Sequence, residues 1–180
     1  AIGYIKKTMS GDVMNIKKVS VDKEGTGMGW GAVYAQYLES MDQISGQGNG
    51  LSVSRQLYKG DEALNESAPL KVGDKITVRL TVKADRDMDF VQIKDDRAAC
   101  MEPLQAVSGF RWSNGLGYYQ ATKDASTQFF IDQMRKGTYV IEYQVYVNRT
   151  GEYQAGIATV QSAYAPEFGG HTGGYRVMVE

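Results

Sequence analysis

The chain has 180 residues, 42% hydrophobic and 11% aromatic, and its 20 basic and 21 acidic residues leave a net charge of -1. That length buries one good core or two small ones, and the balanced charge supplies no field to gather nucleic acid or to hold the chain on an anionic membrane surface. One cysteine and one histidine exclude an internal disulfide and the usual nitrogen and sulfur shell of a structural zinc site, and leave the redox compartment open.

From the N-terminus, AIGYIKK has neither an initiator methionine nor the apolar core of a signal peptide, and no run reaches about 18 apolar residues. A soluble fragment or a mature chain is expected. A first strand is predicted over residues 13–21. GTGMGWG at 25–31 looks like a phosphate cradle, but it lacks dinucleotide spacing, a Walker lysine and a surrounding βαβ unit, so a flexible or tightly turning loop is expected. The run WGAVYAQYLESMDQI partly satisfies both helical and strand periods, and 30–38 is read as a strand. SGQGNG at 45–50 is the candidate linker, because glycine-rich polar segments lose much entropy on ordering.

After it the dominant period is two. A strand is predicted over 51–58. In KITVRLTVKA, Ile76, Val78, Leu80, Val82 and Ala84 share one face, and Thr77, Arg79, Thr81 and Lys83 the other, as a half-buried antiparallel strand requires. Further strands are predicted over 90–94, 127–131, 138–147, 153–163 and 175–179. TYVIEYQVYV repeats the alternation, with Tyr139, Ile141, Tyr143, Val145 and Val147 aligned. KVGD, RKGT and NRTG supply turns between them. Many short strands, 21 glycines and no sustained helical period predict an all-β fold, an antiparallel β-sandwich with Greek-key connections. A short N-terminal β segment or connector precedes it.

Several motifs carry a chemical reading beside a plainer one. Asp85, Asp87 and Asp89 in DRDMD open like a calcium loop, but Phe90 stands where the sharp turn needs glycine and Asp96 where a bidentate glutamate belongs, so a solvated turn is expected. Val91 and Ile93 are expected as buried strand positions, with Asp95, Asp96 and Arg97 forming a paired, solvated turn where the strand leaves the sheet. No nucleophile elbow occurs. A dyad of Cys100 and His171 is formally open, while a lone cysteine after Ala98 and Ala99 reads as a small buried hydrophobe. The sequons at Asn65 and Asn148 would matter only in a eukaryotic secretory pathway. In SGFRWSNGLGYY, Phe110, Trp112, Tyr118 and Tyr119 form the possible interaction surface, for a sugar or a peptide on a mobile glycine-spaced loop, or else cap one end of the sandwich. No catalytic residue, metal ligand or cofactor site is expected.

LKVGDKITVRLTVKADRDMDFVQIKDDRAACMEPLQAVSGFRW, the later GYYQATKDASTQFFIDQMRKGTYVIEYQVYVNRTGEYQAG and AYAPEF resemble the C-terminal end of bacterial alpha-2-macroglobulin family proteins. GMGWGAVYAQYLESMDQI and LSVSRQLYK are similar to what precedes that final domain. The resemblance covers nearly the whole chain, and the order of the blocks makes it specific. It implies that 1–45 is the tail of a CUB-type region or a connector and 51–180 the final macroglobulin-like domain. It further implies a non-catalytic module of a protease-trapping inhibitor in bacterial defence, packed against neighbouring domains of its own polypeptide and meeting proteases through the full-length protein. Nucleic-acid binding and direct membrane insertion are not expected. The setting implied is extracytoplasmic, periplasmic or at the cell surface, with a lipid anchor on the parent as one arrangement. The family's thioester needs C-x-E-Q, whereas Cys100 is followed by Met101, Glu102 and Pro103, so that reactive group would lie elsewhere in the parent. Tyr153, just after a turn, is expected to tie its hydroxyl to the backbone as a tyrosine corner does. Tyr164 is expected to close the last strand pair and shape the following loop. The competing reading is a carbohydrate-binding or adhesin-type sandwich using the aromatics near Trp112.

Overall fold

The computed structural model describes residues 3–11, 15–65 and 68–180, and the chain divides into two units, Ala1–Tyr37 and Leu38–Glu180. The first unit holds no strand among its described residues. Residues 13 and 14 of the strand expected over 13–21 lie outside them, and 15–21 is not a strand. The expected strand over 30–38 is also absent, and Trp30, Val33, Tyr34 and Tyr37 are exposed. Alternation marks a face, but a strand exists only where another edge completes its backbone hydrogen bonds. No described strand pairs with these residues.

The second unit opens with a 3-10 turn at Met41–Gln43. Its first strands are β1 (Gln47–Asn49), β2 (Leu51–Lys59), β3 (Glu62–Ala63), β4 (Lys75–Ala84) and β5 (Met88–Asp96). Then come β6 (Met101–Pro103), β7 (Gly109–Ser113), β8 (Leu116–Thr122), β9 (Ser126–Met134) and β10 (Gly137–Val147). The chain closes with β11 (Gly151–Ala155), β12 (Ala158–Ser162), β13 (Gly169–His171) and β14 (Tyr175–Val179). One hydrogen-bonded path runs β6-β10-β4-β2-β1-β13-β12-β5-β9-β8-β7, with β3 beside β2, and β11 pairs with β14 separately. All named pairs are antiparallel.

This path folds over into a two-layered sandwich, with β6, β10, β4 and β2 facing β12, β5, β9 and β8. The alternation explains the register. Val78 lies opposite Tyr143 and Leu80 opposite Ile141, so β4 and β10 send their apolar sets to the same side. Across the interior, Val91, Ile93, Phe129, Ile131 and Val160 meet them, all fully buried. Burying a side chain of this size contributes about 1.5–3 kcal/mol.

Two strand boundaries differ from the expected ones for local steric reasons. SGQGNG is not a free linker, because Gln47–Asn49 is β1, paired with β13. Its glycine is required there: a Cβ on Gly48 would stand 2.6 Å from the Leu51 carbonyl oxygen. The expected strand over 153–163 is two strands in different sheets. The chain passes so close to β5 at Gly156 that a Cβ there would stand 2.4 Å from Asp96 Cβ.

Candidate interaction surface and interior polar cluster

Residues 109–122 form a β-hairpin, not the mobile loop that the sugar or peptide reading of this segment supposed. Gly109 pairs with Gln120, Arg111 with Tyr118 and Ser113 with Leu116, which leaves a two-residue turn. That turn is Asn114 and Gly115, both at positive φ (49° and 78°), the backbone that Asn-Gly adopts to match the twist of flanking strands. Strand alternation then divides the four aromatics. Phe110 and Trp112 project outward, 80% and 76% exposed. Tyr119 is half-buried and meets Phe110 edge-on at 5.1 Å. Tyr118 points the other way into the core, 6% exposed, with its ring 5.7 Å from Phe129, and so adds nothing to the outward aromatic row. Gly117 lies under the Trp112 ring, so close that a Cβ there would stand 2.8 Å from its carbons. An open groove of about 1140 Å³ beside the hairpin is lined by Phe110, Trp112, Tyr119, Phe130, Asp132 and Arg135 among others.

The other residues singled out fall into separate places. The Tyr153 hydroxyl donates to the Thr150 carbonyl at 2.7 Å. Tyr164 is 79% exposed and belongs to no strand. It does not close the final pair, which is β11 with β14, and its ring instead meets Phe90 edge-on at 5.1 Å. Phe90 has φ of 53°, a kink that lets Met88 and Val91 both turn inward. Asp85 is ion-paired with Arg86, and Asp87 accepts from the Lys136 amide, so two of the three aspartates of DRDMD are directed to different partners. Cys100 is fully buried, and burial pushes its thiol up. His171 Nδ1 donates to the Thr172 carbonyl at 3.0 Å, and no hydrogen bond joins it to Cys100 among the described residues. The Asn148 amide donates to Glu102 at 3.1 Å.

Asp95 is the main departure from expectation. It is not in a solvated turn but 1% exposed, because β5 continues to Asp96 and Asp95 keeps the inward period of Val91 and Ile93. From the opposite layer, Arg55 Nη1 donates to Asp95 Oδ1 and Tyr143 Oη donates to Oδ2 at 2.8 Å. Arg55 Nη2 also donates to the Gly156 carbonyl at 2.6 Å, and its guanidinium lies 4.6 Å from the Tyr175 ring centre. Burial pushes the Asp95 carboxyl upward, against the Arg55 charge and the Tyr143 hydroxyl. Burial also works against the Arg55 cation, but Asp95 and Tyr175 more than offset it and its pKa rises. The signal in the sequence was that Arg55 and Asp95 each occupy an inward position of an apolar alternation.

The same cluster predicts alkaline instability. Burial, with Asp95 adding to it, holds the Tyr143 phenol well above its ordinary value of about 10, and burial pushes Tyr175 to about 12. A phenol whose folded pKa is raised contributes stability that is full below pH 10 and is lost as pH rises through the folded value. The domain is expected to weaken between about pH 10 and about pH 12, with Tyr143→Phe and Tyr175→Phe each flattening that fall. Denaturant midpoints measured across that interval check this, and a midpoint independent of pH there would contradict it.

The described unit is thus an antiparallel β-sandwich domain with an interior ion pair and an outward aromatic face. The family model described as the bacterial alpha-2-macroglobulin MG10 domain matches residues 50–167, about two-thirds of the chain, and the chain belongs to that family. The fold matches Salmonella alpha-2-macroglobulin in a point-mutant crystal structure with TM-score 0.63 at 20% identity, over 75% of this chain and 10% of that one. It matches native Escherichia coli alpha-2-macroglobulin, from domain MG7 to the C-terminus, with TM-score 0.63 at 17% identity, over 75% and 24%. The elastase-activated E. coli protein gives TM-score 0.65 at 16% identity, over 76% and 14%. In sequence, the chain is 27% identical over 166 residues to circularly permutated Ras protein 2 of Dictyostelium discoideum, covering 88% of this chain and 4% of that protein. The chain therefore spans a small part of each of these relatives. No helix among the described residues is long and apolar enough to cross a membrane.

Proposed function

We propose that the chain is the non-catalytic C-terminal portion of a bacterial alpha-2-macroglobulin-like inhibitor that traps proteases. Residues 1–45 would be the tail of its CUB-type region or a connector, and 51–180 its final macroglobulin-like domain. The observation that carries this reading is the match of residues 50–167 to the MG10 domain. E. coli alpha-2-macroglobulin is activated by trypsin and by porcine elastase, and the Salmonella protein reacts with methylamine. By analogy, proteases are partners of the parent protein, and the domain packs against its neighbours and shields a thioester domain where the parent has one. The reading places the parent outside the cytoplasm. The apolar side chains exposed on the first unit support a role for that segment in packing against upstream parts of the same polypeptide.

The test uses the full-length parent and a truncation lacking residues 51–180. Trypsin bound by the full-length protein should keep its activity on a small peptide and lose it on a protein substrate. Before any protease is added, the truncation should release thiol to methylamine roughly tenfold faster, a coupling typical of two packed sites. Equal release rates would refute shielding, and trypsin fully active on protein substrate would refute trapping.

A further inference from the structure

The outward face of the second layer carries a row that the register fixes. Gln161 lies opposite Gln92, Gln92 opposite Phe130, Phe130 opposite Tyr119, and Tyr119 opposite Phe110. Five adjacent strands thus present two amides followed by three aromatic rings in one line. Four inter-strand spacings of about 4.8 Å make it roughly 19 Å long. Trp112 flanks the aromatic end, its ring laid against Gly117 and 76% exposed.

We infer that this row binds a neutral oligosaccharide chain lying across the strands. Aromatic faces stack on the apolar C–H faces of sugar rings, and amides donate to and accept from hydroxyls. The charge supports a neutral ligand. The row consists of amides and aromatic rings and holds no Asp, Glu, Lys or Arg, and around the adjoining groove Asp89 and Asp132 balance Arg111 and Arg135. A nucleic acid would need an excess of cations along the row. Addition of a peptide strand at the free edge of β7 is opposed by Arg111, whose guanidinium folds back onto the Val107 and Phe110 carbonyls at 3.4 and 3.3 Å. This site is separate from the trapping function and does not rest on it.

The experiment uses the 180-residue chain with Trp30→Phe, which leaves Trp112 as the fluorophore. Cellotetraose, chitotetraose and a glycan array serve as probes. A neutral oligosaccharide should shift Trp112 emission. Phe110→Ala, Tyr119→Ala and Gln92→Ala should each weaken binding roughly tenfold, the loss of one good contact, with an unchanged β-type circular dichroism spectrum. Tyr164→Ala, outside the row, should leave binding unchanged. Three results would overturn the inference: no neutral glycan binding, equal binding by the row variants, or binding by the chain that the full-length parent lacks. The last would show that a neighbouring domain covers the face.

Discussion

Asp95→Ala is expected to destabilise the sandwich by about 3–5 kcal/mol, the usual cost of leaving one partner of a buried pair unpaired. The reason is where Arg55 would be left: its side chain is 5% exposed and held between the layers, and β2 and β5 are both anchored by apolar neighbours on either side. The Tyr143 hydroxyl would lose its acceptor as well. Since whole domains are stable by only about 5–15 kcal/mol, this single change would leave the fold marginal. Chemical denaturation of the Arg55→Leu and Asp95→Leu double variant separates pairing from packing. Replacing both charges by apolar groups is expected to be neutral, or stabilising by about 1–4 kcal/mol. An Asp95→Ala protein that unfolds within about 1 kcal/mol of the parent chain would show that the pair contributes no more than an exposed one.

Phe129→Ala is expected to cost about 3–5 kcal/mol, whereas Phe130→Ala, its neighbour on the same strand, should cost about 1 kcal/mol or less. Phe129 is fully buried, with ring centres 5.7 Å from Tyr118 and 5.9 Å from Tyr143. Removing it opens a cavity that rings from both layers line, and a close-packed interior fills such a space only in part. Phe130 is 40% exposed on the outward face. Thermal or denaturant midpoints of the two variants check the register directly, because a one-residue slip of β9 would exchange their effects.

The parts of the fold that were legible in the sequence are those where side chains differ between faces. β4 and β14 begin and end where the alternation does, and β10 differs by one residue at its start. β1 and β13 were not legible, because Gln-Gly-Asn and Gly-Gly-His contain no apolar side chain to set one face against the other. The β7 and β8 hairpin carried its own signal in Asn114-Gly115, but glycines between aromatics also fit a mobile loop. The same alternation that identified β5 placed Asp95 inside. Charge chemistry argued for solvent, and the burial of Arg55 at the matching depth of β2 settled the conflict. In the first unit, period two marked apolar faces, but no described strand pairs with those residues. Of the outward aromatics, the sequence marked Phe110, Trp112 and Tyr119, while Phe130, Gln92 and Gln161 joined them only through cross-strand register.

β1 imposes an order on folding during synthesis. Among the strands of the second unit β1 is the first to be made and its partner β13 the thirteenth of fourteen, so the seam between the two layers stays open until nearly all of these strands exist. Until then β12 lacks the neighbour on its outer edge, and the nascent layers can meet and part without being joined there. β13 acts as the clasp, and a polypeptide halted before Gly169 would lack the seam together with the buried Val177 and Val179 of β14.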